Sequence, residues 1–115
     1  MRPFALAVVL LPAVALFGAV PAAAPAFADD PVVVITLKDH QFVPTEVAVP
    51  AGVKVQLLVK NEQPAPAEFE SRVLHFEKVV TAGGQVAVFV GPLSPGSYEF
   101  YDDFHNATRG HLVVK

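Results

Sequence analysis

No cysteine occurs in this 115-residue chain, and its single methionine is residue 1. Without a thiol there are no ligands for a thiolate zinc site, an iron–sulfur cluster or a blue-copper centre, and no disulfide can staple the fold. Positive charge is scarce too. Eight Lys and Arg stand against 11 Asp and Glu, whereas a nucleic-acid surface needs clustered cations to neutralise phosphates. The chain has no phosphate-binding glycine loop. Its few serines lie in turn-forming segments, without the neighbouring histidine and acid that a nucleophilic hydrolase requires. Helix-length periodic segments, internal repeats and low-complexity tracts are also missing past the first 28 residues.

What is present begins with an apolar leader. Met1-Arg2 gives a positive start, the run from Phe4 to Val20 is apolar, and Ala26-Phe27-Ala28 has the small-x-small form of a cleavage site. Pro12 interrupts the run and Pro21 and Pro25 follow it, which suits a removed signal better than a membrane anchor. Residues 1–28 are therefore read as a signal peptide and 29–115 as one exported, periplasmic domain. Removing 28 residues from 115 leaves 87, enough for one core. That part keeps all 11 acids and 7 basic residues, a formal charge of −4. The chain-wide hydrophobic fraction of 53% is inflated by the leader and does not describe the domain.

The domain alternates in hydropathy and is punctuated by Pro and Gly, which predicts many short strands. Val32 to Lys38 makes the first and Glu46 to Val49 the second, with Pro50-Ala51-Gly52 turning the chain. From Val53 to Lys60 the odd positions are apolar, giving one buried and one wet face. Asn61 to Pro66 is a loop. Further strands are expected over Glu68 to Ser71, Phe76 to Val80, Gln85 to Val90, Ser97 to Tyr101 and His111 to Lys115. Seven or eight strands without a helix indicate an all-β, antiparallel Greek-key sandwich. Phe76, Phe89, Tyr98 and Phe100 are expected in its core, with Tyr101 or Phe104 shielding a site.

Three groups of residues could carry chemistry. Asp102 and His105 leave the end of a strand on one loop, three positions apart. Glu68 and Glu70 are two apart, so on a strand they share a face, with Phe69 directed into the core. His75 and Glu77 are also two apart and would share a face if that segment is extended. For Glu70, an ordinary polar strand face is the favoured reading. His40 and His111 are peripheral.

The chain resembles the cupredoxin superfamily, and within it the exported cupredoxin-like proteins associated with bacterial iron-uptake permeases. The resemblance is carried by Phe42-Val43-Pro44, Val49-Pro50-Ala51-Gly52, Asn61, Glu68-Phe69-Glu70-Ser71, Glu77-Lys78-Val79-Val80, Leu93-Ser94-Pro95-Gly96-Ser97-Tyr98 and Asp102-Asp103-Phe104-His105 with Gly110. It implies a cupredoxin-like sandwich in which Asp102 stands at the copper loop's cysteine position and His105 at its histidine position. No methionine follows, and Ala67 falls near the first histidine position. Replacing thiolate by carboxylate moves such a site toward harder ions. The resemblance thus implies a metal set drawn from Glu68, Asp102, His105, Glu77 and Asp103, with Asp103 taking the place of Asp102 if the loop is displaced by one residue. The cofactor implied is an iron or copper ion. The implied function is periplasmic metal binding in support of an inner-membrane iron permease and its associated periplasmic proteins. A copper-dependent ferroxidase and a periplasmic copper carrier are the alternatives, and the oligomeric state is left open.

Overall fold

The computed structural model describes residues 29–115, together with 3–5, 12–13 and 18. The expected signal peptide thus falls outside the described residues, apart from those few positions. Nine strands follow in chain order: β1 (Val32–Lys38), β2 (Gln41–Val43), β3 (Glu46–Val49), β4 (Val55–Asn61), β5 (Ala67–Ser71), β6 (Phe76–Val80), β7 (Gln85–Val90), β8 (Gly96–Asp102) and β9 (His105–Val114). They form two sheets, ordered β2-β1-β4-β7 and β3-β9-β8-β5-β6. Among the described residues no helix is long and apolar enough to cross a membrane.

The expected β-sandwich is the fold, with two differences in detail. Each sheet is mixed, because β1 runs parallel to β4 and β3 parallel to β9. The chain leaves the first sheet after β2, contributes β3 to the second and returns as β4, so no hairpin reverses β4 against β1. The count rises to nine through the three-residue β2, and β9 begins at His105 rather than His111. The β1–β2 hairpin turns on Asp39 and His40, both at positive φ (51° and 58°), as a two-residue type I′ connection requires. Asp and His enter that left-handed region more readily than most residues. The His40 N–H is fastened by Gln63 Oε1 at 2.8 Å.

Alternation directs one face of each strand inward. Ile35, Leu37, Val55, Leu57 and Val59 line one wall, while Val47, Phe69, Phe100 and Leu112 line the other. Each such burial stabilises the fold by about 1.5–3 kcal/mol. Phe42 meets Phe100 edge to face with ring centroids 4.9 Å apart, and Phe69 lies 5.2 Å from Phe100. Gly110 makes room for that group. A Cβ there would come 2.5 Å from Phe100 Cζ and 2.8 Å from the Thr45 carbonyl oxygen. Phe89, expected inside, is 54% exposed, because Val88 and Val90 take the inward positions of β7 and the pleat turns Phe89 out. Lys54 Nζ covers its ring at 4.7 Å.

One buried polar side chain ties the two sheets together. Asn61, at the end of β4, donates from Nδ2 to the carbonyls of Ala65 (2.9 Å) and Val80 (3.1 Å), the latter on β6 of the opposite sheet. Its Oδ1 accepts the Gln63 N–H at 3.0 Å. Buried amides persist only when satisfied in this way.

Candidate metal centre

The five-stranded sheet turns a polar face outward. On β5 the residues Ala67, Phe69 and Ser71 are buried, so the strand's period of two sends Glu68 and Glu70 to the other side. Pairing with β6 sets Glu77 opposite Glu70 and Val79 opposite Glu68. At the far end of β8, the Asp103 N–H donates to the Glu68 carbonyl at 2.9 Å, which brings that loop against β5. As a result, carboxylate oxygens of Glu68, Glu70 and Asp103 lie within 4.8 Å of one another. The Glu68 carboxyl is pushed above its ordinary pKa, first by burial, then by the charges of Glu77, Asp103 and Glu70 and by a hydrogen bond to Glu77. Four carboxylates crowded in this way repel one another unless a proton or a cation intervenes.

Asp102 takes a different path. It is 2% exposed, and its Oδ1 accepts two backbone N–H groups, from Glu68 and from Phe104, each at 3.0 Å. A register shift between Tyr101 and Asp102 pairs Tyr101 with Arg109 but Asp102 with His105. This irregularity separates the two neighbouring aspartates, one turned in and one out. Asp102 thus braces β5 against the β8–β9 turn and stands outside the carboxylate cluster.

His105 is also held elsewhere. The Thr108 hydroxyl donates to the His40 carbonyl at 2.7 Å, so it accepts from His105 Nδ1–H at 2.8 Å and leaves His105 Nε2 free. The His105 ring stacks on His40 with centroids 4.0 Å apart and planes 21° from parallel. Ring lone pairs lie in the ring planes, so two stacked imidazoles cannot both aim at one ion without turning. Ala67 is a buried methyl, 1% exposed, with nothing to offer a metal.

Of the five expected ligands, Glu68 and Asp103 share one cluster and Glu77 stands beside it, while Asp102 and His105 are engaged in other contacts. Glu70, read from the sequence as an ordinary polar position, is the third member. Its i, i+2 relation to Glu68 was the available signal. Of the two aromatics expected to shield a site, Tyr101 is buried and Phe104 is 54% exposed. Burial pushes the Tyr101 hydroxyl pKa up and a hydrogen bond to Glu70 adds to this, while Arg72 pulls the other way.

Comparison with known proteins extends this picture. A family model described as a cupredoxin-like domain matches residues 7–114. An uncharacterized protein of Rickettsia prowazekii (strain Madrid E) is 43% identical over 81 residues, covering 70% of this chain and 65% of that protein. This chain therefore spans less than two thirds of that relative's length. Among solved structures, the metal-binding domain of the Streptococcus pneumoniae D39 Cu(I)-exporting P-type ATPase CopA with Cu(I) is similar, with a TM-score of 0.67. It shares 13% identity, and the alignment covers 73% of this chain and 84% of that one. A Cu(I) form of an amicyanin variant aligns with a TM-score of 0.62 and 17% identity, over 75% of this chain and 84% of that one. At these identities the structural likeness concerns the fold.

Proposed function

Since this chain belongs to the family of cupredoxin-like domains, we propose that it is a metal-binding protein whose cation sits on the outward carboxylates Glu68, Glu70 and Asp103, with Glu77 beside them. The blue-copper arrangement does not fit these residues. There is no thiolate, Ala67 is a buried methyl, and Asp102 Oδ1 already accepts two main-chain hydrogen bonds. The observation that carries the reading is the convergence of three carboxylates, with the pKa of the Glu68 carboxyl raised by its neighbours. A cation lowers the mutual repulsion that the proton otherwise relieves, and all-oxygen donors suit hard or borderline ions.

Iron is the proposed cargo. A half-exposed site with few protein ligands leaves positions for exchange, as a protein handing its ion to a membrane permease in the periplasm would need. Copper is the second reading, supported by the copper held in the similar folds and by the free Nε2 of His105 beside His40. Binding rather than oxidation of the ion is the role these side chains support.

Titration of the exported protein with Fe(II) under anaerobic conditions, and separately with Cu(II), tests this. The combined substitution Glu68→Gln, Glu70→Gln and Asp103→Asn should weaken iron binding by about 1,000-fold, since each lost charged ligand costs roughly tenfold. Unchanged affinity in that variant would refute the site. Loss of Cu(II) but not Fe(II) binding on His105→Ala would assign copper to the His105 imidazole instead.

A further inference from the structure

Beside the carboxylate cluster lies an open surface groove of about 400 Å3 lined by Glu70, Ser71, Arg72, His75, Phe76 and Glu77. Small-molecule sites commonly fall between about 300 and 1,000 Å3. The charges here are of both signs. Glu70 and Glu77 belong to the acidic face, while Arg72 and His75 bring donors to the same space. A bare cation gains nothing from an arginine beside its ligands, because the two repel. A cation that arrives with an anion attached gains a partner for that anion.

Arg72 is held for such a role. Its Nε donates to the Tyr101 hydroxyl at 3.0 Å, and its guanidinium carbon lies 5.6 Å from the Tyr101 ring centroid. The backbone beneath it is fixed as well. Ser71 Oγ donates to the Glu99 carbonyl at 2.7 Å and accepts the Leu74 N–H at 3.2 Å. Arg72 forms no ion pair among the described residues, so its terminal nitrogens are available for planar, two-pronged pairing with a carboxylate. Arg109 packs on the same ring at 4.9 Å and shows the contrast, since its head is taken by Glu99 at 2.6 Å and by the Asn106 carbonyl at 2.9 Å.

We propose that the ligand of this site is a metal–carboxylate complex: the cation on Glu68, Glu70 and Asp103, and a small multidentate carboxylate bound to that cation and paired with Arg72. This rests on the metal-binding reading of the cluster. A chelating carboxylate can fill the coordination positions that the protein leaves open and still present a free carboxylate to the guanidinium fork.

Equilibrium dialysis of the exported protein against radiolabelled citrate, with and without Fe(II) under anaerobic conditions, tests the assignment. Citrate should be retained one per iron and only when iron is present. Arg72→Gln should reduce that retention by about tenfold, with Arg72→Lys intermediate because it keeps the charge but not the fork. Iron binding measured without citrate should be unchanged or tighter in Arg72→Gln. Iron retained with no citrate, or citrate retention indifferent to Arg72, overturns the inference and leaves the metal site standing. Retention of phosphate with iron as readily as citrate overturns the carboxylate assignment, and failure to bind iron in the citrate-free measurement overturns both readings.

Discussion

Asp102 and Asp103 are consecutive residues in opposite surroundings. The first lies under the β8–β9 turn, 2% exposed, gathering two main-chain N–H groups; the second is exposed and faces Glu68 and Glu70. The difference separates two uses of one chemical group. A carboxylate whose oxygen is saturated by backbone donors builds structure, because removing it strands those donors. A carboxylate among other carboxylates destabilises its surroundings slightly and becomes useful when a cation arrives. The cupredoxin-like frame thus keeps an acid at the end of β8 for shape and directs the next one outward.

The largest effects are expected when each aspartate is removed in turn. Asp102→Ala should destabilise the protein by about 2–4 kcal/mol in urea unfolding, since two N–H groups lose their acceptor. Asp103→Ala should change stability by less than about 0.5 kcal/mol, as surface substitutions usually do. Equal losses would show that both are structural. Asp102→Asn retains an acceptor oxygen and should fall between them.

A smaller effect is expected in the dependence on pH. The pKa of Glu68 is raised in the folded state, so the folded protein holds a proton that the unfolded chain has already released. The stability this proton gives is present at acid pH and is lost as pH rises through the raised value. Glu68→Gln should remove that slope and raise the metal-free Tm at neutral pH. Cation and proton compete for the same oxygens, so metal affinity should decline on acidification from a pH above the ordinary glutamate range, with proton release on binding measurable in weakly buffered solution. An affinity that stayed flat down to the usual carboxylate range would contradict the shared site.

The smallest effect is expected at the imidazole pair. Thr108→Val removes the hydroxyl that links the His40 carbonyl to His105 Nδ1 and should cost about 1 kcal/mol. Iron affinity at the carboxylates should not move, and a tenfold change there would mean that the two regions are coupled.

Much of this architecture was legible in the residues themselves. Phe69 between Glu68 and Glu70 declares which side of β5 faces the core, and the alternation from Val55 to Val59 does the same for β4. Strand neighbours were less accessible, because parallel and antiparallel partners bury the same alternate positions. The exchange of roles between Asp102 and Asp103 depends on a local register shift that hydropathy does not record. Glu70 reads as an ordinary polar position for a related reason: its place in the cluster comes from Glu77 across the ladder and from Asp103 at the end of another strand, and a single strand's sequence contains neither fact.

The amide of Asn61 spans the two layers, a task that a sulfur–sulfur bond performs in many small domains. An amide can be neither reduced nor mispaired. Formation of this sandwich therefore needs no thiol oxidant or disulfide isomerase, and thiol reagents find no cysteine to attack.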